Sequence, residues 1–216
     1  TYTISVGGNR FDQNSNNASV AAPQLLVPGV YNVSNTASPL ESWASMYKSR
    51  VNSLYGMANI GYKNLLYLDI TARNDWSSTL PPGNNSYFYP SIGLNGNLKD
   101  ILHLPGAFSQ AQLRLATAQV GHDAGAYSLY NTYGYGTPWG NYYSLVGSSG
   151  LLNPNLKPEI TSTYEIGASL GFFNNRLIID ATYYNIISKN QIIPLSTPQS
   201  SGSTSRIINA GEIKNT

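Results

Sequence analysis

The sequence predicts an all-β protein: a transmembrane antiparallel up-and-down β-barrel, of which this chain supplies about eight strands. Three observations carry that prediction. Apolar and polar residues alternate with period two along much of the chain, charge is scarce, and the connections alternate between long and short.

Taken in order, residues 1–8 read as a strand, and 9–48 as a long polar loop. Strand 49–62 sets Leu54, Gly56, Ala58 and Ile60 against Ser53, Tyr55, Met57 and Asn59. A tight turn at Tyr62-Lys63-Asn64 leads into strand 65–76, where Leu66, Leu68, Ile70 and Ala72 oppose Tyr67, Asp69, Thr71 and Arg73. A Pro/Gly/Asn loop over 77–86 precedes strand 87–98. The link 99–110 has room for one helical turn before strand 111–121. The segment 122–160, rich in Gly, Tyr and Pro, reads as a very long loop. Strand 161–172 places Tyr164, Ile166, Ala168, Leu170 and Phe172 on one face, and Thr163, Glu165, Gly167, Ser169 and Gly171 on the other. After a tight turn at Phe173-Asn174-Asn175 comes strand 176–188, with Leu177, Ile179, Ala181 and Tyr183 opposite Asp180, Thr182 and Tyr184. A loop over 189–206 and a last strand over 207–216 complete the reading. Both ends read as partial strands, so the chain is expected to continue into a longer polypeptide.

Strand length fits a membrane. Eleven residues at ~3.3 Å each, tilted by ~45°, rise roughly 25 Å, the height of an apolar band. Aromatic residues collect at two levels: Tyr62, Phe172 and Phe173 by the tight turns, and Trp76, Tyr87, Phe88 and Tyr89 beside a longer loop. Such levels are expected of the two aromatic girdles.

Composition narrows the classes further. Only 10% of the 216 residues are charged, well below the ~25% usual in soluble domains. Aromatics make up 12%, including 17 Tyr. The net charge of +2 is spread without runs, which excludes an electrostatic footprint for nucleic acid. Zero Cys excludes disulfides and thiolate metal sites. A secreted β-sandwich also alternates and also carries Gly- and Asn-rich loops, but segments as long as 9–48 and 122–160 suit it poorly. From alternation alone both architectures stay open.

Several segments bear on the choice. Ala72-Arg73-Asn74-Asp75-Trp76-Ser77-Ser78-Thr79-Leu80, with Ser86-Tyr87-Phe88-Tyr89-Pro90-Ser91 after it, resembles a strand–outer loop–strand passage of SusC/RagA-type TonB-dependent transporters. Asn153-Pro154-Asn155-Leu156-Lys157-Pro158-Glu159, leading into Tyr164-Glu165-Ile166-Gly167, is similar to that family's approach to a later strand. Phe172 to Leu177, Asp180 to Asn185, and Ile208-Asn209-Ala210-Gly211-Glu212-Ile213 resemble a short turn, the strand after it, and the start of another late strand. These segments cover about residues 50–216 in the family's order.

The resemblance implies a 22-stranded barrel in the outer membrane of a Gram-negative bacterium. It implies an N-terminal plug and TonB box outside this chain, so that residues 1–216 are wholly barrel. It further implies a SusD-like surface lipoprotein as lid, coupling to the TonB complex, and active import of a nutrient, an oligosaccharide or a peptide. The competing reading is a secreted or surface-exposed β-rich carbohydrate-binding or adhesion module without transport.

Candidate chemistry is thin, and neither an enzyme activity, a metal nor a cofactor is expected. Gly167-Ala168-Ser169-Leu170-Gly171 matches the nucleophile elbow of α/β-hydrolases, but that motif needs a strand–turn–helix setting and here the alternation runs straight through. His103 and His122 have no partner at metal-ligand spacing. The Gly-rich run 134–140 has neither Lys nor a following helix, as a phosphate loop would. The Asn-x-Ser sequons at Asn17, Asn32 and Asn84 are what chance gives in a chain so rich in Asn and Ser.

Two groups remain. Asp69, Arg73, Glu165 and Asp180 lie opposite the apolar stripe, on a solvated face that in a barrel is the lumen wall. Tyr135, Trp139, Tyr142 and Tyr143, with Tyr127, Tyr130 and Tyr133, crowd one loop. They either contact a substrate or partner, or pack the loop upon itself.

Overall fold

The computed structural model describes residues 1–137 and 139–216. In chain order its elements are β1 (Tyr2–Ala21), β2 (Glu41–Tyr62), β3 (Leu66–Ser77), β4 (Ser86–Asn97), the one-turn α1 (Leu98–Ile101) and β5 (Phe108–His122). Then come β6 (Tyr133–Tyr135), β7 (Leu145–Gly147), β8 (Gly150–Leu151), β9 (Glu159–Phe172) and β10 (Leu177–Lys189). β11 (Ile192–Ser196), a 3-10 turn at Gln199–Ser201, β12 (Ser205–Asn209) and β13 (Glu212–Asn215) finish the chain. One eight-stranded sheet runs β1-β2-β3-β4-β5-β9-β10-β13, all antiparallel and all between neighbours. It is an arc of barrel wall, open at β1 and at β13.

The tight turns fix the register. Leu65 N–H donates to the Tyr62 carbonyl at 2.9 Å, with Lys63 (φ 48°) and Asn64 (φ 58°) both left-handed, as a hairpin that matches strand twist requires. Between Phe173 and Arg176 the central residues Asn174 and Asn175 take φ 55° and 62°, a conformation Asn tolerates. At the β4–β5 link the Asn97 side chain accepts from the Asp100 N–H at 3.5 Å and starts the single turn of α1.

Cross-strand pairs share a face, so the register sorts the side chains. One face carries Ile4 and Val6 of β1; Leu54, Ala58 and Ile60 of β2; and Leu66, Leu68, Ile70 and Ala72 of β3. It continues through Ile92 and Leu94, Leu113 and Leu115, Ile166, Ala168 and Leu170, to Leu177, Ile179 and Ala181. At the tight-turn end this face is bounded by Tyr62 and by the Phe108–Phe172 pair, whose ring centroids lie 4.9 Å apart. Toward the long loops it is bounded by Trp76, Phe88, Tyr164 and Tyr183. Between those levels it carries no Asp, Glu, Lys or Arg among the described residues. Tyr87 and Tyr89 point to the opposite face, because period two cannot place three consecutive residues on one side.

The structure corrects the sequence reading in three places. β1 runs on to Ala21 and β2 starts at Glu41, so most of the expected loop 9–48 is a paired hairpin. Its ladder bonds are backbone bonds, indifferent to side-chain polarity; beyond the apolar band both faces meet water and alternation loses its cause. The segments 122–160 and 189–206 contain short strands of their own: β6 pairs with β7, and β11-β12-β8 form a small sheet. The last strand, expected over 207–216, is broken at Gly211 (φ 85°) into β12, which joins that small sheet, and β13, which pairs with β10.

Candidate functional site

The polar face of the arc is an ordered wall of side chains. Asn59, Asp69, Gly93, Ala116, Glu165 and Tyr184 occupy a single cross-strand row, so Asp69 and Glu165 lie in one row of the polar face. Asp69 accepts a short hydrogen bond from the Asn59 amide. Asp180 pairs with Arg114 at 2.7 Å, a bridge between β10 and β5 that spans β9; the absence of a side chain at Gly167 leaves the Arg114 guanidinium its room. Toward the long loops, Arg73 donates from Nε to Asp75 at 2.7 Å and from Nη2 to Ser53 at 3.0 Å. Tyr89 O–H donates to the other Asp75 oxygen at 2.5 Å, and Asp75 is buried. A depression of about 420 Å³ opens beside this network, lined among others by Tyr55, Met57, Thr71, Arg73 and Tyr89.

Above the wall, the long connections fold into a platform with its own small core. Leu156 is 0% exposed and packs with Leu80, Tyr87 and Ala124, flanked by Tyr89, Leu129, Ile192 and Ile207. Three connections thus meet at one leucine: the β3–β4 loop, the β5–β9 connection with the segments on either side of its β6–β7 hairpin, and the β10–β13 connection with its β11–β12 hairpin. Polar bonds hold the backbone around it, as a folded loop needs. Ser77 and Thr79 both donate to Asp123, Thr79 at 3.0 Å. The Asn84 amide reaches the Leu156 carbonyl at 3.2 Å. Asn209 accepts from Lys157 N–H at 2.9 Å while its amide donates to the Lys157 and Asn190 carbonyls at 2.8 and 2.9 Å. Glu159 accepts the Ile192 N–H at 2.7 Å and so fixes the start of the hairpin.

The loop aromatics are on a finger that leaves this platform. β6 and β7 pair so that Tyr133, Tyr135 and Leu145 share a face. Tyr143 joins Tyr135 edge to face at 5.9 Å. Reciprocal backbone bonds between Trp139 and Tyr142, 2.9 and 3.1 Å, close the tip. Tyr135 is 83% exposed, Trp139 88%, Tyr142 81% and Tyr143 76%, so in this chain the finger offers its aromatics outward and buries little of them on itself. Tyr127 and Tyr130 lie at the base of the same connection, also largely exposed.

Alternation on paper singled out Asp69, Arg73, Glu165 and Asp180, and the register sets all four on one face. It missed their partners Asn59, Asp75, Ser53 and Arg114, because cross-strand neighbours depend on register, which a single strand does not reveal. Ser169 sits within β9, paired to Gln112 and Asp180 and with no helix following, so the hydrolase-like spacing is coincidental. His122 Nδ1 lies 3.9 Å from Glu159, and His103 adopts φ 52° in the link after α1.

A sheet of neighbour-paired antiparallel strands, apolar on one side and polar on the other, with tight turns at one end and folded loops at the other, is the wall of a transmembrane-type β-barrel. Residues 1–216 match the family of TonB dependent receptor-like β-barrels, and the chain belongs to that family. A TonB-dependent receptor called P26 from Formosa agariphila is 26% identical over 195 residues, 87% of this chain and 20% of that protein. The TonB-dependent receptor SusC from Bacteroides thetaiotaomicron is 30% identical over 147 residues, 63% of this chain and 15% of SusC. The chain therefore spans about a fifth of the length of the curated relatives it matches. Among solved structures, one chain of the RagAB peptide transporter superposes with a TM-score of 0.83 at 21% identity, covering 99% of this chain and 24% of that one. A ferric enterobactin receptor from Pseudomonas aeruginosa superposes with a TM-score of 0.62 at 18% identity, covering 99% of this chain and 29% of the receptor.

Proposed function

We propose that the whole protein is an outer-membrane importer of the SusC/RagA type, with this chain as part of its barrel wall. The observation that carries the reading is the two-faced arc. Its charge-free apolar band suits lipid, and its opposite face, with the Arg73–Asp75–Tyr89 and Arg114–Asp180 contacts, suits a hydrated lumen. A plug and a TonB box elsewhere in the polypeptide would couple the barrel to the TonB complex, and a SusD-like lipoprotein would cover its mouth.

The β6–β7 finger supports an oligosaccharide or a peptide as cargo. Tyr133, Tyr135, Trp139, Tyr142 and Tyr143 offer flat apolar surfaces with phenolic hydroxyls, and the finger carries no charge that would demand an ionic ligand. Asp69, Arg73, Glu165 and Asp180 line the path below. A RagAB peptide transporter shares the fold, which fits the peptide class.

The test is growth and uptake in the native bacterium. Removing residues 132–148 from the full-length protein should leave its amount in the outer membrane unchanged and abolish growth on the cognate nutrient. Wild-type growth and wild-type lid association in that deletion would exclude the finger from recognition. Recovery of the full-length protein as a detergent-free soluble species would exclude the importer itself.

A further inference from the structure

We propose that the outer face of the β1–β2 hairpin carries a binding site for the phosphate-bearing headgroup of an outer-leaflet lipid, formed by Arg10, Arg50 and Lys48 around Asp12. The inference rests on the outer-membrane reading above and adds a site to it.

Position is the first argument. Arg10 pairs with Asn52, which pairs with Trp76, so Arg10 shares a cross-strand row with an aromatic of the band's loop-side boundary. Arg50 and Asp12 form the next row on the same face, and Lys48 and Asn14 the one after. At ~3.3 Å per residue and a tilt of ~45°, Arg50 and Lys48 stand about 5 and 10 Å above Asn52, the β2 residue opposite Trp76, which brings them to headgroup depth. The side chains point the same way as Val6 and Leu54, toward lipid and away from the lumen.

Construction is the second. Arg10 donates to Asp12 from Nε at 2.6 Å and from Nη2 at 3.3 Å, and Arg50 donates from Nε to the other carboxylate oxygen at 2.5 Å. One carboxylate thus holds two guanidiniums side by side, each with N–H groups left for a further acceptor. Hydrogen bonds from both, Arg10 first, hold the Asp12 carboxyl down to about 2, so it remains the bridging anion at any ordinary pH. Arg50 is fixed from behind: its N–H donates to Ser78 Oγ and its carbonyl accepts from Ser78 N–H, both at 2.9 Å. A depression of about 400 Å³ opens against Asp12, Asn14, Lys48, Arg50 and Ser78. Three cations against one anion leave a net positive patch beside a cavity. Two forked guanidiniums with a mobile ammonium suit a phosphate, which accepts bidentate bonds from Arg and a point charge from Lys.

The arrangement recurs at the other edge of the arc. Glu212 lies between Lys189 (3.5 Å) and Lys214 (3.4 Å), on the same face and beyond Tyr183. Cations thus flank the apolar band on its loop side at both ends of the wall, where lipid phosphates would meet them.

The test uses the full-length protein in detergent micelles doped with phosphorylated lipid A, read by native mass spectrometry as lipid retained per protein. The wild type should retain phosphorylated lipid A and lose at least tenfold when the phosphates are removed from that lipid. Arg10→Gln/Arg50→Gln/Lys48→Gln should show the same tenfold loss with the intact lipid. Arg176→Gln, at the tight-turn end, should bind as wild type. Lys48→Gln alone serves if the triple variant fails to assemble, since the Lys48 side chain makes no hydrogen bond or ion pair among the described residues; the expected loss is about threefold. Wild-type retention by the triple and single variants, or equal retention of the dephosphorylated lipid, would overturn the site. Full displacement of the lipid by an equal concentration of inorganic phosphate would overturn the lipid as its source. Fractionation of the same preparations separates this from the importer reading, since a protein in the outer membrane that ignores lipid phosphate refutes the site alone.

Discussion

Ile70 and Thr71 are neighbours in β3 and point to opposite faces, so one pair of substitutions tests the whole assignment. Ile70 sits near the middle of the strand, between Ala58 and Ile92 in its row and four residues from both Leu66 and Asn74. An Arg there meets only apolar neighbours near the bilayer midplane, for which the cost is about 2–4 kcal/mol. Thr71→Arg places the same side chain in the row of Met57 and Ser91, with Asp69 two residues away on the same face. An exposed pairing of that kind is worth about 0–1 kcal/mol, so this change should be close to neutral. The two variants of the full-length protein are to be unfolded by guanidinium chloride in lipid vesicles, with tryptophan fluorescence as the signal. The midpoint should fall clearly for Ile70→Arg and barely for Thr71→Arg. Equal midpoints, or the reverse order, would refute the facing of the strands and the membrane reading with it.

Other predictions concern the platform and the wall. Leu156→Ala empties the centre of the loop core and should cost it about 2–5 kcal/mol, seen as faster amide exchange over 192–209 with the barrel strands unchanged. Asn209→Ala removes three bonds to backbone groups, each worth about 1 kcal/mol, and should raise protease sensitivity around Lys157. Asp75→Asn leaves Arg73 without its carboxylate and should cost about 1–3 kcal/mol in the same denaturant titration. Replacing Trp139, Tyr142 and Tyr143 by Ala should weaken cargo or lid binding at least fivefold at an unchanged barrel level, measured by pull-down and uptake.

The sequence revealed strands where one face meets lipid and the other water, because only that asymmetry imposes period two. Leu66 to Ala72 and Leu177 to Tyr183 were legible for this reason. Residues 9–21 and 41–48 were not, although they pair in unbroken register, since water on both sides removes the pressure to alternate. The tight turns were legible through Asn64 and Asn174-Asn175, whose left-handed backbone their composition favours. The polar-face residues were legible as a face and not as a network. Arg114 and Asp180 are 66 positions apart and meet only because β9 lies between their strands.

The loop motifs follow a different logic from the strands, and the platform shows what it is. Within the band, side chains are interchangeable so long as they are apolar, and backbone bonds supply the order. Above it there is no ladder spanning all connections, so single residues must serve. Leu156 fills the centre, Asp123 gathers two hydroxyls, Asn84 and Asn209 bond backbone groups outside the ladders, and Glu159 caps a hairpin. All of these but Asp123 lie in or beside a segment that resembles the family, such as Ser77 to Leu80 and Asn153 to Glu159. Tyr135, Trp139, Tyr142 and Tyr143 lie outside those segments and outside the core. A finger with no structural duty on a fixed platform can change its aromatics without unfolding anything beneath it. That separation makes the finger a fit place for selectivity.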